Sequence, residues 1–409
     1  MQIAVLAIES FIFEDGFRVH LEQPPARCKN NAAGYVRPLE KLYARRTLRV
    51  RRNLLQIRFC VFFFCENFPH RFVRFLDKSI VMSLKKLIDV STLSQLLKGG
   101  IVNSGGVRLL DCTYSIGPKP DWRAFKHELY GKFQAILSQP SVSKQLYLSG
   151  HIPEAVHMSL DAAMFPSKYE RFALYPSEIF EEYMQILGVN NGEHLILYSR
   201  GALGGMMYST KFAWLLKASG SYGHEKLSVL DGGFDRWVKT GHETSTEDVK
   251  LMPGDWEAKD DIGIYNINFE ELESKDGEKM YIERTDEVNF LDSRIRGQFN
   301  GTEDTGLDPY RVGGSNIPGF KNTPAAELLD ENGVLKSTAE IKEWLATNGY
   351  KHGQPIVTNC NTGMQAAMLA FAIDLVYPDV SLRVYNGSLK EMELRDPKRI
   401  SSGGVHLKH

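Results

Sequence analysis

Residues 355–376 read PIVTNCNTGMQAAMLAFAIDLV, a short apolar run followed by a polar loop and a long apolar stretch. This pattern predicts a strand over Pro355–Asn359, a loop over Cys360–Gln365 and a helix over Ala366–Val376. The helix is apolar nearly all round, which is typical of a helix buried on every side. Cys360 therefore falls at the carboxyl end of a parallel strand and just before a helix N-terminus, where open α/β sheets bind ligands.

The same plan occurs twice along the chain, as four pairs of matching segments in one order. The pairs are Arg108–Asp111 with Asn289–Asp292, Gly150–Glu154 with Ser315–Gly319, Leu195–Ser199 with Ile356–Cys360, and Val229–Gly233 with Val384–Ser388. Short apolar runs alternate with helical stretches, so we predict an α/β fold of two tandem domains, each a parallel sheet flanked by helices. The predicted domains are 82–244, the first copy, and 262–400, the second copy. A polar linker, His242–Asp261, connects them.

Charge, length and cysteine content exclude several classes of protein. The 49 Lys and Arg and 50 Asp and Glu give a net charge of −1, which offers no whole-chain electrostatic case for binding nucleic acid. The 409 residues predict two or three domains that each bury a core. The longest apolar run, Leu54–Cys65, is well short of the roughly 20 residues of a membrane-spanning helix, so no membrane contact is expected. The five cysteines argue against a disulfide framework.

Residues 1–81 form a basic extension, with 14 Lys and Arg against 7 Asp and Glu. A mitochondrial presequence should be poor in acidic residues from its start, whereas four acidic residues lie within the first 22. We therefore predict a poorly ordered extension and a cytoplasmic protein, with mitochondrial localisation as the alternative if the extension is a targeting segment. Met82 is a candidate start of translation.

A cysteine in the position of Cys360 can act as a nucleophile. The thiolate is the reactive form, and a helix N-terminus with inward-facing loop N–H groups favours that anion. Two cysteine chemistries use such a loop, namely attack on phosphate, which needs an arginine six positions later, and sulfur transfer through a persulfide. The residue six positions later is Ala366, which disfavours a phosphatase. A cysteine that merely fills buried space remains the alternative at this point.

Several motifs together resemble those of the rhodanese sulfurtransferases. Cys360–Ala366 is similar to the active loop C-x-x-G-x-T-A of that family, with the Cys, Gly and Ala positions matching. Other segments resemble the family's D-S-R, F-x-G-T-E and H-I-P-G motifs and their first-domain counterparts. These segments are Asp292–Arg294, Phe299–Glu303, Ile317–Gly319, His151–Pro153 and Leu230–Gly233. The resemblance covers about residues 85–400.

The resemblance implies a sulfurtransferase in which Cys360 attacks the sulfur of a small donor and forms a persulfide. Asn361 and Thr362 beside the cysteine are neutral, which in this family implies 3-mercaptopyruvate in preference to thiosulfate. The acceptor implied is a thiol, such as that of thioredoxin, or cyanide, and no cofactor or metal is expected. By resemblance, Thr362 replaces a loop serine that relays a proton, with Asp111 and His151 as its orienting partners across the cleft between the domains.

The implied substrate-binding residues lie in the cysteine loop and beside it. They are Asn361, Gly363, Met364, Gln365, Ala366, Arg294, Arg296, Gln298 and Arg311. The family's carboxylate-binding arginine corresponds here to Gln298, which has no charge. Because an arginine binds a carboxylate through two charge-assisted hydrogen bonds, its loss predicts weaker binding or a different substrate. Arg296 and Arg311 are the candidates to replace it.

Two other hypotheses remain at this stage. The missing arginine favours a protein with two rhodanese-like domains and weak catalytic activity. Such a protein would bind or regulate a partner, or bind a small anion. A dinucleotide-binding loop at Gly201, Gly204 and Gly205 is disfavoured because its spacing is G-x-x-G-G. The expected G-x-G-x-x-G pattern and an acidic residue about 20 positions later are both missing.

Overall fold

The structure is a computed structural model that describes residues 84–219, 226–303, 312 and 315–401. The described residues belong to one compact unit. The basic extension, 1–81, lies outside the described residues, as does Arg311. The expectation of a poorly ordered extension therefore stays a prediction.

Helices and strands alternate along the described residues. The helices are α1 Val90–Lys98, α2 Trp122–Glu128, α3 Phe133–Leu137, α4 Val142–Ser149, α5 Leu160–Ala163, α6 Ser177–Ile186, α7 Ala202–Gly205, α8 Met207–Ser219, α9 Gly233–Lys239, α10 Ile262–Tyr265, α11 Phe269–Leu272, α12 Arg296–Asn300, α13 Thr338–Thr347, α14 Met364–Val376 and α15 Ser388–Arg395. The strands are β1 Leu87–Ile88, β2 Val107–Asp111, β3 Val156–His157, β4 Met164–Phe165, β5 Ala173–Leu174, β6 His194–Tyr198, β7 Leu227–Leu230, β8 Asn266–Ile267, β9 Lys275–Asp276, β10 Lys279–Met280, β11 Asn289–Asp292, β12 Lys321–Asn322, β13 Ile356–Asn359 and β14 Leu382–Tyr385. Three short 3₁₀ helices are Tyr281–Glu283, Ala325–Leu328 and Pro397–Arg399.

Two five-stranded parallel sheets have the same strand order. In the first copy the order is β1-β7-β6-β2-β3, and in the second it is β8-β14-β13-β11-β12. The segments matched in the sequence supply equivalent strands, because β2 corresponds to β11, β6 to β13 and β7 to β14. The predicted fold class, two tandem α/β domains of parallel sheets flanked by helices, is therefore confirmed.

The strand–loop–helix unit around Cys360 forms close to where the sequence places it. All four residues of β13 are buried, and α14 is buried at every residue but Leu375. The helix begins at Met364, two residues earlier than predicted. The reason is Gly363, whose left-handed φ of 79° ends the loop and lets the helix start at the next residue.

One hydrophobic core extends across both copies. Helix α8 packs against α14, and their apolar side chains, among them Phe212 and Phe371, belong to the same buried cluster. Smaller clusters lie on the other face of each sheet, around Ile196 in the first copy and Phe290 in the second. The copies therefore share a core, which differs from the expectation that each domain buries a core by itself.

The segment connecting the copies packs along the first of them. Ser245 forms an isolated antiparallel bridge with His151. Trp256 is fully buried, and its main-chain N–H donates to Val189 O at 3.2 Å. The predicted linker is thus fixed to the first copy by its own side chains and main chain.

Candidate active site

Cys360 lies at the carboxyl end of β13 and immediately before the turn into α14. Its Sγ accepts a hydrogen bond from the Gly363 N–H at 3.0 Å, and the residue is 1% exposed. A main-chain N–H that donates to sulfur favours the anionic form, and the N-terminus of a long buried helix adds a favourable dipole. The local geometry is therefore that of a sulfur nucleophile or anion.

A second helix N-terminus fixes the same loop from the other side. The Cys360 N–H donates to Ser388 Oγ at 3.1 Å, and the Leu389 N–H donates to Cys360 O at 3.1 Å. The Lys390 N–H donates to Asn361 O at 2.9 Å. The first N–H groups of α15, which have no partner inside their own helix, are thereby used to hold the cysteine loop.

The first copy contributes a buried lysine to this site. Lys211 of α8 is fully buried, and its Nζ donates to Gly363 O at 3.3 Å and to Asn386 Oδ1. Asn386 in turn donates from Nδ2 to Glu170 Oε1 at 2.8 Å and to Phe172 O at 2.6 Å. A polar network thus joins the cysteine loop to two segments of the first copy.

Burial changes the acid–base properties of both ionisable groups in this network. It lowers the pKa of Lys211 to about 7, although the nearby Cys360 and Glu170 act in the opposite direction. It raises the pKa of Glu170 to about 7, together with the charge of Glu391, while Asn386 and Lys211 act to lower it. Both groups therefore titrate close to neutral pH, as ionisable groups at functional sites often do.

The arginines implied by the resemblance make contacts within the protein itself. Arg294 forms a buried two-point ion pair with Asp292, from Nη2 to Oδ2 at 2.7 Å and from Nε to Oδ1 at 3.0 Å, and also donates to Ser315 O at 2.5 Å. Arg294 Nη1 also lies 3.5 Å from Asn361 Oδ1 and so reaches the cysteine loop. Its guanidinium thus links Asp292, at the end of β11, to Asn361 of the cysteine loop.

Arg296 lies away from this buried cluster. It forms a two-point ion pair with Glu327, at 2.6 and 2.7 Å, and its side chain is half exposed. Gln298, on the same short helix, is 4% exposed and remains a neutral residue in the position implied for the carboxylate-binding arginine. Arg311 lies outside the described residues.

The other implied loop residues follow Cys360 in the chain. Thr362 is 5% exposed and lies between Cys360 and Gly363. Met364, Gln365 and Ala366 form the buried first turn of α14 and belong to the helix. Ala366 O accepts a hydrogen bond from Thr358 Oγ1 at 3.0 Å, which ties this turn to β13.

The contacts described for Asp111 and His151 lie within the first copy and the connecting segment that follows it. Asp111 Oδ1 accepts the Thr113 N–H at 2.8 Å, and its other oxygen lies 3.6 Å from Arg200, which follows Ser199. The ring nitrogens of His151 lie 2.9 Å from Ile152 O and 2.8 Å from Glu247 O. None of these contacts joins Asp111 or His151 to Thr362, so the orienting role implied for the two residues stays a prediction.

The equivalent loop of the first copy has no cysteine and is closed. Ser199 takes the place of Cys360, and its Oγ donates to Gly205 O at 2.6 Å. Gly204 has a φ of 62°, and a Cβ there would lie 2.1 Å from Gly333 O of the second copy. The two strand-end loops therefore differ: the first has a serine hydroxyl that donates within its own loop, and the second has a cysteine sulfur that accepts a main-chain N–H.

Sequence reasoning missed four residues of this site, Lys211, Asn386, Glu170 and Ser388. Asn386 lay within a quoted repeat match, but nothing in the pattern assigned it a contact. A signal for Lys211 existed, because it is a charged residue in the middle of a helix that buries twelve of thirteen positions. A buried lysine needs a compensating partner, and that requirement could have drawn attention to it.

Comparison with known proteins shows that the chain is similar to sulfurtransferases. The family described as "Rhodanese-like domain" matches residues 95–240. The Caenorhabditis elegans protein named "Putative thiosulfate sulfurtransferase mpst-1" is 57% identical over 331 residues, which cover 80% of this chain and 100% of that protein. The 3-mercaptopyruvate sulfurtransferase of Escherichia coli is 32% identical over 253 residues, which cover 61% of this chain and 83% of the relative.

A solved structure shows the same fold. The crystal structure of SseA from Escherichia coli, described as a 3-mercaptopyruvate sulfotransferase with the rhodanese fold, matches with a TM-score of 0.56 and 23% identity. The match covers 75% of this chain and 99% of that one.

No helix within the described ranges is both long and apolar enough to cross a membrane.

Proposed function

Because this chain belongs to the rhodanese-like sulfurtransferase family, we propose that it moves a sulfur atom from a small donor to a thiol or cyanide acceptor through Cys360. The donor proposed first is 3-mercaptopyruvate, and thiosulfate is the second. The observation that carries the proposal is the Cys360 sulfur at the end of β13, which accepts the Gly363 N–H at the start of a buried helix.

The proposed reaction has two steps that share one covalent intermediate. The Cys360 thiolate attacks the sulfur of 3-mercaptopyruvate and forms an S–S bond, while the donor's C–S bond breaks. The electron pair of that bond stays on carbon as pyruvate enolate, which takes up a proton to give pyruvate. An acceptor thiolate then attacks the outer sulfur of the persulfide and bonds to it. The S–S bond to Cys360 breaks, and the Cys360 thiolate is regenerated.

Thr362 is the proposed proton relay for the enolate, because its hydroxyl lies in the loop one residue from Gly363. The resemblance also assigns Asp111 and His151 to this relay, but the contacts described for them lie within the first copy and the connecting segment, so the proposal rests on Thr362. The proposed acceptor is a dithiol protein such as thioredoxin, and the proposed compartment is the cytoplasm.

Mass spectrometry of the intact protein after treatment with each donor tests this function. We expect one added sulfur on Cys360 with 3-mercaptopyruvate, and its loss when an acceptor thiol is supplied. Cys360→Ser should abolish both sulfur addition and transfer, because Cys360 lies only four residues before the buried helix α14 and its sulfur accepts a main-chain N–H. The other described cysteine, Cys112, lies ten residues before the next helix, α2, and its Sγ donates to Leu110 O. Cys112→Ser is the matched control and should keep most activity, since Cys112 is fully buried and burial raises its pKa. Equal losses in both variants would contradict the assignment of Cys360.

The second candidate function is a binding or regulatory protein with weak catalysis. Gln298 favours it, because by resemblance this buried neutral residue takes the position of the family's carboxylate-binding arginine. The same mass measurement separates the two candidates. A protein that gains no sulfur from 3-mercaptopyruvate or thiosulfate belongs to the second class.

A further inference from the structure

The Cys360 loop lies against a buried cation that comes from the other copy of the fold. Lys211 Nζ donates to Gly363 O at 3.3 Å, and the N–H of Gly363 donates to Cys360 Sγ at 3.0 Å. Gly363 is thus held on one side by the sulfur and on the other by the ammonium group. Asn386, which accepts a second hydrogen bond from Lys211, fixes the direction of that ammonium.

The ammonium is placed where its charge has a large effect. Lys211 is fully buried, and its Nζ lies 4.0 Å from the centre of the Trp214 ring, so little water screens it. Charges act more strongly on each other in such surroundings than in water. The arginines near the loop pair closely with acids of their own, Arg294 with Asp292 and Arg296 with Glu327. By contrast, the hydrogen bonds described for the lysine lead to the acid Glu170 through the neutral amide of Asn386.

We propose that Lys211 is the positioning residue of the Cys360 loop, supplied by the first copy to hold Gly363 against the sulfur and to stabilise its anionic form. This proposal rests on the proposed function. In that reaction the sulfur at Cys360 is an anion both as the thiolate and as the persulfide. The site is therefore complete only when both copies are packed together. The first copy, which lacks a cysteine of its own at this place, provides the charge for the second.

The electrostatic coupling between Lys211 and Cys360 works in both directions. The nearness of Cys360 acts to raise the pKa of Lys211, and by linkage the protonated lysine must favour the thiolate by the same free energy. Glu170 is the other acid that faces Lys211, while Glu391 and Lys119 face Glu170. A pH profile of Cys360 reactivity therefore reports on this whole group of charges.

The test is the pH profile of Cys360 alkylation by a small neutral reagent, with each rate divided by its own plateau at high pH. Removing a cation beside a thiolate makes the thiol harder to ionise. We therefore expect Lys211→Met to move the midpoint upward by about one pH unit or more. Lys211→Arg, which keeps the charge, should return the midpoint toward that of the natural protein.

A control variant comes from the same helix. Lys217 is also in α8 and is largely buried, but its Nζ pairs with Asp374 at 2.6 Å and not with the cysteine loop. Lys217→Met should leave the midpoint unchanged. A merely structural role of Lys211 would lower the free energy of unfolding of Lys211→Met without moving its alkylation midpoint.

A further variant keeps the proposal open to contradiction if Lys211→Met does not fold. Lys211→Gln retains a hydrogen-bond donor without the charge, and we expect the same upward shift. An unchanged midpoint in whichever variant folds overturns the proposal. Failure of both to fold also overturns it, because the role of Lys211 would then be structural. If no donor adds sulfur to the natural protein, the proposed function fails, but the alkylation profile still tests Lys211.

Discussion

Gly363 shows why a single residue in the cysteine loop cannot vary freely. Its φ is 79°, and a Cβ built on it would lie 2.6 Å from Asn386 O and 2.8 Å from Asn386 Oδ1. The first of these atoms belongs to the main chain of the next strand-end loop and cannot move without displacing that loop. The absence of a side chain is thus what lets the N–H reach the sulfur while the carbonyl reaches Lys211.

We expect Gly363→Ala to lower the free energy of unfolding by about 1–3 kcal/mol and to reduce sulfur transfer. The matched control is Gly353→Ala, since Gly353 has a similar φ of 84° and a Cβ placed there would meet no atom within 4 Å. The control carries the backbone strain without the clash. Denaturant unfolding and transfer rates measure the difference, and equal effects in both variants would show that the contact with Asn386 is unimportant.

Among the strands, β6 contains a buried histidine that makes stability depend on pH. Ser228 Oγ donates to Lys85 O at 2.5 Å, so it accepts from the Nε2–H of His194 at 2.7 Å. This hydrogen bond places a hydrogen on Nε2 of the imidazole. Burial lowers the pKa of His194 to about 4, and Lys226 contributes in the same direction.

The folded pKa of His194 lies below the usual value of 6.5, so protonation favours the unfolded chain. The stability present above pH 6.5 should fall as the pH drops toward 4, by about 2–3 kcal/mol from this residue. His194→Gln should flatten that part of the curve of unfolding free energy against pH. His127→Gln, at an exposed position, should leave the curve unchanged. A curve of the same slope in both variants would assign the pH dependence to other groups.

The sequence predicted the elements whose signal is local. Repeated apolar segments placed β6 and β13, and the strand–loop–helix pattern placed Cys360 at the end of β13. Helix α14 started two residues early because a left-handed Gly363 is not visible as such in a pattern of apolar residues. The contact of Lys211 with Gly363 joins residues 152 positions apart and depends on how two helices cross, so no local pattern encodes it.

At the scale of the whole molecule, the shared core leads us to expect that the two copies fold as one unit. Helix α14 buries nearly all its residues, and α8 of the first copy covers one of its sides. Asp374 of α14 also pairs with Lys217 at 2.6 Å and with Lys86 at 2.9 Å, both from the first copy. Apolar and charged contacts therefore act together at the same interface.

We expect residues 262–401 alone to lose the fixed packing of α14, because separating the copies exposes the apolar side that α8 covers. Each large apolar side chain so exposed costs roughly 1.5–3 kcal/mol, and domains have only about 5–15 kcal/mol in total. Circular dichroism and denaturant unfolding measure the loss, and addition of residues 84–261 as a separate chain should restore a cooperative transition. Restoration should also return the alkylation midpoint of Cys360 to that of the intact protein, since Lys211 arrives with the first copy. If the second copy alone unfolds cooperatively with the midpoint of the intact chain, the shared core contributes little and each copy folds by itself.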